Sequence, residues 1–122
     1  MKVLVVEDNI AVRETIADVL EFLDHDFLYA ASAEEALALL QRLDAPLDLL
    51  ISDISLPGLN GSNLFRRVRQ RFPFCRGLLT SGLPREQLQL YGAEFMQKPF
   101  TLDQLIDSVE AVANGVATPA LR

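Results

Sequence analysis

The sequence has one cysteine, one histidine and no tryptophan among 122 residues. A lone thiol, Cys75, cannot close an internal disulfide, so a reducing, cytoplasmic setting is expected. Long apolar runs are missing as well. Stretches such as Val3 to Val6 fall far short of the roughly 20 apolar residues that span a bilayer, so no membrane insertion is expected. The start has one Lys and four apolar residues before Glu7, too little for a signal peptide. Net positive charge is absent. At −6 the chain is a poor direct partner for nucleic acid, whose phosphates demand cations. The local exception is Arg66, Arg67, Arg69 and Arg71, which reads as the solvated face of a helix. What is present, half hydrophobic and about a quarter charged, is the balance of a globular protein with one domain and a real core.

Five short apolar runs alternate with helical patterns. The strand candidates are Lys2–Val6, Phe27–Ala30, Leu47–Ser52, Cys75–Thr80 and Glu94–Gln97. Leu49-Leu50-Ile51 is continuously apolar, as expected of a strand buried on both faces. Between the strands, apolar residues recur at helical spacing: Val12, Ile16, Val19, Leu20 and Leu23; Ala36, Leu37 and Leu40; Leu64, Phe65, Val68 and Phe72; and Leu105, Ile106, Val109, Val112 and Ala113. Ser32-Ala33-Glu34-Glu35 and Thr101-Leu102-Asp103-Gln104 fit the capping box, and Gly115 fits a residue just past a helix end. The domain is expected to fill 1–115, with 116–122 a short flexible tail. Alternating β and α elements predict a doubly wound, flavodoxin-like α/β fold: a five-stranded parallel sheet of order 2-1-3-4-5 with five helices, the fourth shortened.

That order places the functional site beyond the C-terminal strand ends, where the winding reverses. Glu7 and Asp8 follow strand 1, Asp53 follows strand 3, Thr80 ends strand 4 and Lys98 follows strand 5. Taken singly, each has a plain structural reading as a cap, a turn residue, a β-former or a surface charge. Together they put three carboxylates, a hydroxyl and an amine on one edge. At ~4 Å and an effective dielectric of about 20, each carboxylate pair repels by roughly 4 kcal/mol. Lys98 offsets one charge, and the remainder favours proton uptake or a divalent cation. Oxygen ligands partly open to water suit Mg²⁺. A carboxylate also accepts phosphoryl groups, whose equatorial oxygens need surrounding positive charge and donors. Asp53, ending the most buried strand, is the candidate acceptor. Glu7 and Asp8 are candidate metal ligands, and Thr80 and Lys98 candidate phosphoryl contacts.

At this point the sequence resembles the receiver domains of two-component response regulators over residues 2–114. The matching pieces are Val3-Leu4-Val5-Val6-Glu7-Asp8-Asn9, Ser52-Asp53-Ile54-Ser55-Leu56-Pro57-Gly58 with Asn60-Gly61, Thr80-Ser81-Gly82, and Gly92 through Phe100. Any one is a weak signal; four in order at this spacing are specific. The resemblance implies phosphorylation of Asp53 by a phosphohistidine on a histidine kinase or histidine phosphotransfer protein. It implies Mg²⁺ held by Asp8, by Glu7 largely through water, by Asp53 and by the backbone carbonyl of Ser55. It further implies a cis Lys98–Pro99 bond, lifetime-tuning positions at Ser55 and Gly82, and a switch built from Thr80 and Phe95. Such a domain is not a conventional enzyme; it catalyses only its own phosphorylation and slow dephosphorylation.

One departure stands out. Only 18 positions separate Thr80 from Lys98, fewer than in most of the family, and the shortfall lies in the fourth helix. Pro84 can start that helix at its first position, with Arg85–Leu90 supplying barely two turns. Short fourth helices look like receivers of hybrid sensor histidine kinases or stand-alone phosphate carriers, and because the surface that many family members use to dimerise is altered here, a monomer or weak dimer is expected. Alternatives are an interaction module that does not accept phosphate, a cofactor-binding enzyme, and a phosphatase of another α/β family. The first is opposed by the intact acids and lysine. The second lacks a glycine-rich turn at Glu7-Asp8-Asn9-Ile10. The third lacks a nucleophile after strand 1 with an Asp two residues on. Ile10 and Arg13, near the acidic pair, form a candidate kinase-docking face.

Overall fold

The computed structural model describes residues 1–115; the expected tail at 116–122 lies outside them. Strands β1 (Lys2–Val6), β2 (Asp26–Ala30), β3 (Leu49–Asp53), β4 (Arg76–Ser81) and β5 (Glu94–Gln97) alternate with helices α1 (Ile10–Phe22), α2 (Ala33–Gln41), α3 (Gly61–Arg71) and α4 (Leu102–Ala113). All strand pairs are parallel and the sheet order is β2-β1-β3-β4-β5, as the alternation predicts.

The side-chain period of two divides the strands between two cores. On one face Leu4, Val6, Leu50, Leu79 and Phe95 pack with Ala36 and Leu40 of α2 and Leu64, Phe65 and Val68 of α3. On the other, Val3, Val5, Leu49, Ile51, Leu78 and Met96 pack with Ile16, Val19 and Leu20 of α1 and Leu105, Val109 and Val112 of α4. Each fully buried Val, Leu, Ile, Phe or Met among them contributes about 1.5–3 kcal/mol. All five residues of β3 are buried, which explains its unbroken apolar run.

The helix starts are set by side-chain caps. Asn9, Ser32, Asn60 and Thr101 each accept a hydrogen bond from a backbone N–H two or three residues into the helix. Thr101 and Gln104 form a complete capping box. The expected box at Ser32 is only half made: Ser32 Oγ accepts from Glu35 N, but Glu35 reaches the N–H of Ala31. Gly115 takes its expected place after α4, with φ of +76°.

The expected fourth of five helices is absent, so the described chain has four α-helices. In its place is a single 3₁₀ turn, Arg85–Gln87, with Pro84 just before it rather than inside it. Residues 82–93 make the crossover between β4 and β5, at the short end of the dozen or more residues such a connection takes, and only the 3₁₀ turn forms within it. Leu88 and Leu90 instead lie in non-helical chain and pack on the first core.

Candidate functional site

The sheet order turns sequence-distant residues into neighbours. β1 sits between β2 and β3, so the chain leaves it in opposite directions and opens a crevice beyond the strand ends. Register fixes the depth of each group. Asp53 is the Cα partner of Thr80, and Thr80 of Met96, while the backbone N–H of Lys98 donates to Ser81 O at 2.7 Å. Glu7 is anchored likewise, its N–H donating to Ala30 O at 3.1 Å. The Lys98–Pro99 bond is cis, as the resemblance implies.

Carboxylate oxygens of Glu7, Asp8 and Asp53 all lie within 4.8 Å of one another. Glu7 and Asp53 are buried and Asp8 is exposed, so the cluster opens to water on one side. Lys98 Nζ donates to Glu7 Oε1 at 2.6 Å and to Asp53 Oδ2 at 3.2 Å. The other oxygens are held by backbone: Asn9 N donates to Glu7 Oε2 at 3.1 Å, and Ser55 N to Asp53 Oδ1 at 3.1 Å. Burial raises the Glu7 pKa, helped by the charge of Asp53 and opposed by Lys98 and the Asn9 N–H. Burial pulls the Lys98 pKa down, but the hydrogen bond to Glu7 and the charges of both acids outweigh it, and the net direction is up.

The donor set fits a hard cation. Opposed oxygen ligands on Mg²⁺ at ~2.1 Å are about 4.2 Å apart, within a small side-chain adjustment of the spacing seen here, and Asp8's exposure leaves room for the waters that Mg²⁺ retains. Thr80 is buried one strand over from Asp53. Gly82 is exposed, and a Cβ on it would meet nothing within 4 Å. Phe95 is buried in the first core, with Phe65 and Ala93.

Two positioning residues escape sequence reasoning. Asn9 caps α1 through its side chain while its N–H holds Glu7. Gly61 starts α3 so close to the end of β3 that a Cβ there would lie 2.2 Å from the Asp53 carbonyl oxygen, and its N–H donates to Ile54 O at 2.9 Å. Asn60-Gly61 is visible as a motif in the sequence, but the close approach that requires glycine appears only in three dimensions.

Residues 3–110 match the family model of the response regulator receiver domain. The chain belongs to that family. This receiver domain is 36% identical to the response regulator protein FleR of Pseudomonas aeruginosa, covering 93% of this chain and 25% of that protein. It is 31% identical to the sensor kinase CckA of Brucella abortus, over 88% of this chain and 12% of that one. It therefore spans a quarter or less of these two longer relatives. Among solved structures, the chemotaxis response regulator CheY4 of Vibrio cholerae superposes with a TM-score of 0.81 at 30% identity, covering 91% of this chain and 97% of that one. Likeness thus extends to a response regulator, a sensor kinase and a chemotaxis response regulator alike. Among the described residues no helix of this receiver domain is long and apolar enough to cross a membrane.

Proposed function

We propose that residues 1–115 form a phosphoacceptor receiver module of a two-component or phosphorelay system, modified on Asp53 in a Mg²⁺-dependent reaction. The observation that carries this reading is the Asp53 carboxylate, placed at the end of a fully buried strand, contacted by Lys98 and sharing a 4.8 Å cluster with Glu7 and Asp8. Asp53 attacks the phosphorus of a phosphohistidine. A P–O bond forms, the P–N bond breaks, and the electron pair returns to the leaving imidazole. Asp8, Glu7, Asp53 and the carbonyl of Ser55 would hold Mg²⁺, which when bound supplies charge to a phosphoryl oxygen. Lys98 shifts from its carboxylate partners to a second oxygen, and the Thr80 hydroxyl donates to a third.

The switch follows from the same contact. Thr80, drawn toward the phosphoryl group, opens space behind it beside β5, the strand that carries Phe95, and only contacts that differ between the two states shift the population. Ser55 and Gly82 flank the route of a hydrolytic water, and Gly82 leaves that route open. The donor docks on the α1 side, where Ile10 is exposed and Arg13 stacks on Tyr29 at 5.1 Å. The module is a signalling component of the cytoplasm, monomeric or weakly dimeric, and its parent is a response regulator or a hybrid sensor kinase.

Incubation with Mg²⁺ and phosphoramidate, read by intact mass, tests the reading. Wild type should gain one phosphoryl group; Asp53→Ala, or wild type with EDTA, should gain none. Modification of Asp53→Ala to the wild-type extent would refute it.

A further inference from the structure

Residues 54–85 contain six arginines and no Asp or Glu, although the chain as a whole carries −6. The four-arginine cluster within this stretch does not act as one solvated face. Arg71, itself exposed, folds back over the end of α2 and donates to the carbonyls of Leu40 and Leu43, a structural role. Arg66 and Arg69 face the other way. They line a groove of about 430 Å³ with Phe65, Gln70, Pro73 and Tyr91. Both guanidiniums are held by aromatic faces: Arg66 lies 4.6 Å from the Tyr91 ring centroid and Arg69 5.6 Å from that of Phe65. Arg69 also donates to Pro73 O at 3.1 Å. Among the described residues neither pairs with a carboxylate.

The groove's far wall depends on an unusual backbone. Tyr91 adopts a φ of +51°, rare for a bulky residue, and Gly92 follows at +87°. This conformation carries the exposed Tyr91 ring to Arg66 across the stretch where the chain builds a 3₁₀ turn instead of a helix.

The geometry points to this groove as a docking site for a short acidic segment of a partner protein. Charge complementarity selects that occupant. The stacked Arg66 guanidinium and the donors of Arg69 not used on Pro73 O are open to carboxylates, and the rings and Pro73 supply an apolar floor for intervening side chains. A long polyanion such as nucleic acid is disfavoured, because outside residues 54–85 the chain is acidic and would repel its extended backbone. The site is separate from the acid cluster and does not depend on phosphorylation of Asp53.

The test is an ¹⁵N NMR titration of the whole chain with a short peptide of glutamates and leucines, backed by fluorescence anisotropy of the labelled peptide. Saturable shifts should be confined to the C-terminal half of α3 and residues 90–93. Arg66→Glu with Arg69→Glu should weaken binding by about tenfold or more, and Tyr91→Ala should also weaken it. Arg67→Glu, the same charge change on the same helix but outside the groove, should leave it nearly intact. All these side chains are exposed, and circular dichroism verifies that each variant folds. Phosphorylation by phosphoramidate should be unchanged in every variant. Absence of saturable binding, an Arg67→Glu loss as large as that of the groove variants, or equal affinity for a single-stranded oligonucleotide overturns the proposal.

Discussion

Replacing Lys98 by methionine tests the electrostatics of the acid crevice directly. The substitution keeps most of the stem and removes the charge that lies 2.6 Å from Glu7 and 3.2 Å from Asp53. At 2.6 Å and an effective dielectric of about 20 the Coulomb attraction is roughly 6 kcal/mol, set against the desolvation of both groups. Breaking a fully buried pair costs about 3–5 kcal/mol. The Glu7 side chain is 1% exposed but that of Lys98 is 23% exposed, so screening trims the expected loss to about 2–4 kcal/mol near neutral pH. In urea, with a slope of about 1–3 kcal/mol/M, the midpoint should fall by on the order of 1–2 M. The pH dependence gives the sharper reading. Burial already raises the Glu7 pKa, and losing Lys98 raises it further. The native state then binds this proton more tightly than the unfolded chain does. Ionisation of Glu7 therefore opposes folding: the penalty is full above the native pKa and fades as pH falls toward the ordinary carboxylate value. The gap between Lys98→Met and wild type should be wide near pH 7.5 and narrower near pH 5. Equal loss at the two pH values, or no loss at either, would refute the argument.

Other outcomes follow from the same structure. Mg²⁺ should raise the thermal midpoint, by the equivalent of about 2.7 kcal/mol at a hundredfold excess over its dissociation constant, with EDTA reversing the gain and Asp8→Asn abolishing most of it. Gly61→Ala forces a Cβ to 2.2 Å from the Asp53 carbonyl oxygen, so urea unfolding should show a loss of about 1–3 kcal/mol, with slower phosphorylation. Cys75 is buried and burial pushes its thiol up to about 12, so Ellman's reagent should react only at the rate at which the protein opens. Arg71→Ala removes the donor to the carbonyls of Leu40 and Leu43, in and just past α2, and should cost about 1–3 kcal/mol in urea unfolding while leaving phosphorylation unchanged.

The sheet and the acid crevice are legible in the sequence for one reason. A strand buried on both faces writes itself as a run such as Leu49-Leu50-Ile51, and charged residues at the ends of such runs are displaced to a single rim once the strands lie parallel. Strand limits shift by a residue or two because hydrogen bonding, not hydrophobicity, ends a strand; Leu47 is buried yet precedes β3. The region after β4 is harder to read. Arg85–Leu90 has helical composition, but Leu88 and Leu90, two residues apart, match an extended chain that puts both side chains on one face, and both pack on the core. The arginine cluster is misread as uniform because one of its members is held by α2, an element some 30 residues away. Which guanidinium folds back onto the end of α2 is a tertiary fact, as is the reason only glycine fits at Gly61.

The contact at Gly61 has a wider consequence. The Asp53 backbone is pinned between its own strand and the first turn of α3 by groups already in van der Waals contact, before any ligand arrives. The backbone around Asp53 is thus preorganised: little of its conformational entropy remains to be lost when a ligand binds, and affinity for the donor proposed above can rest on a small footprint.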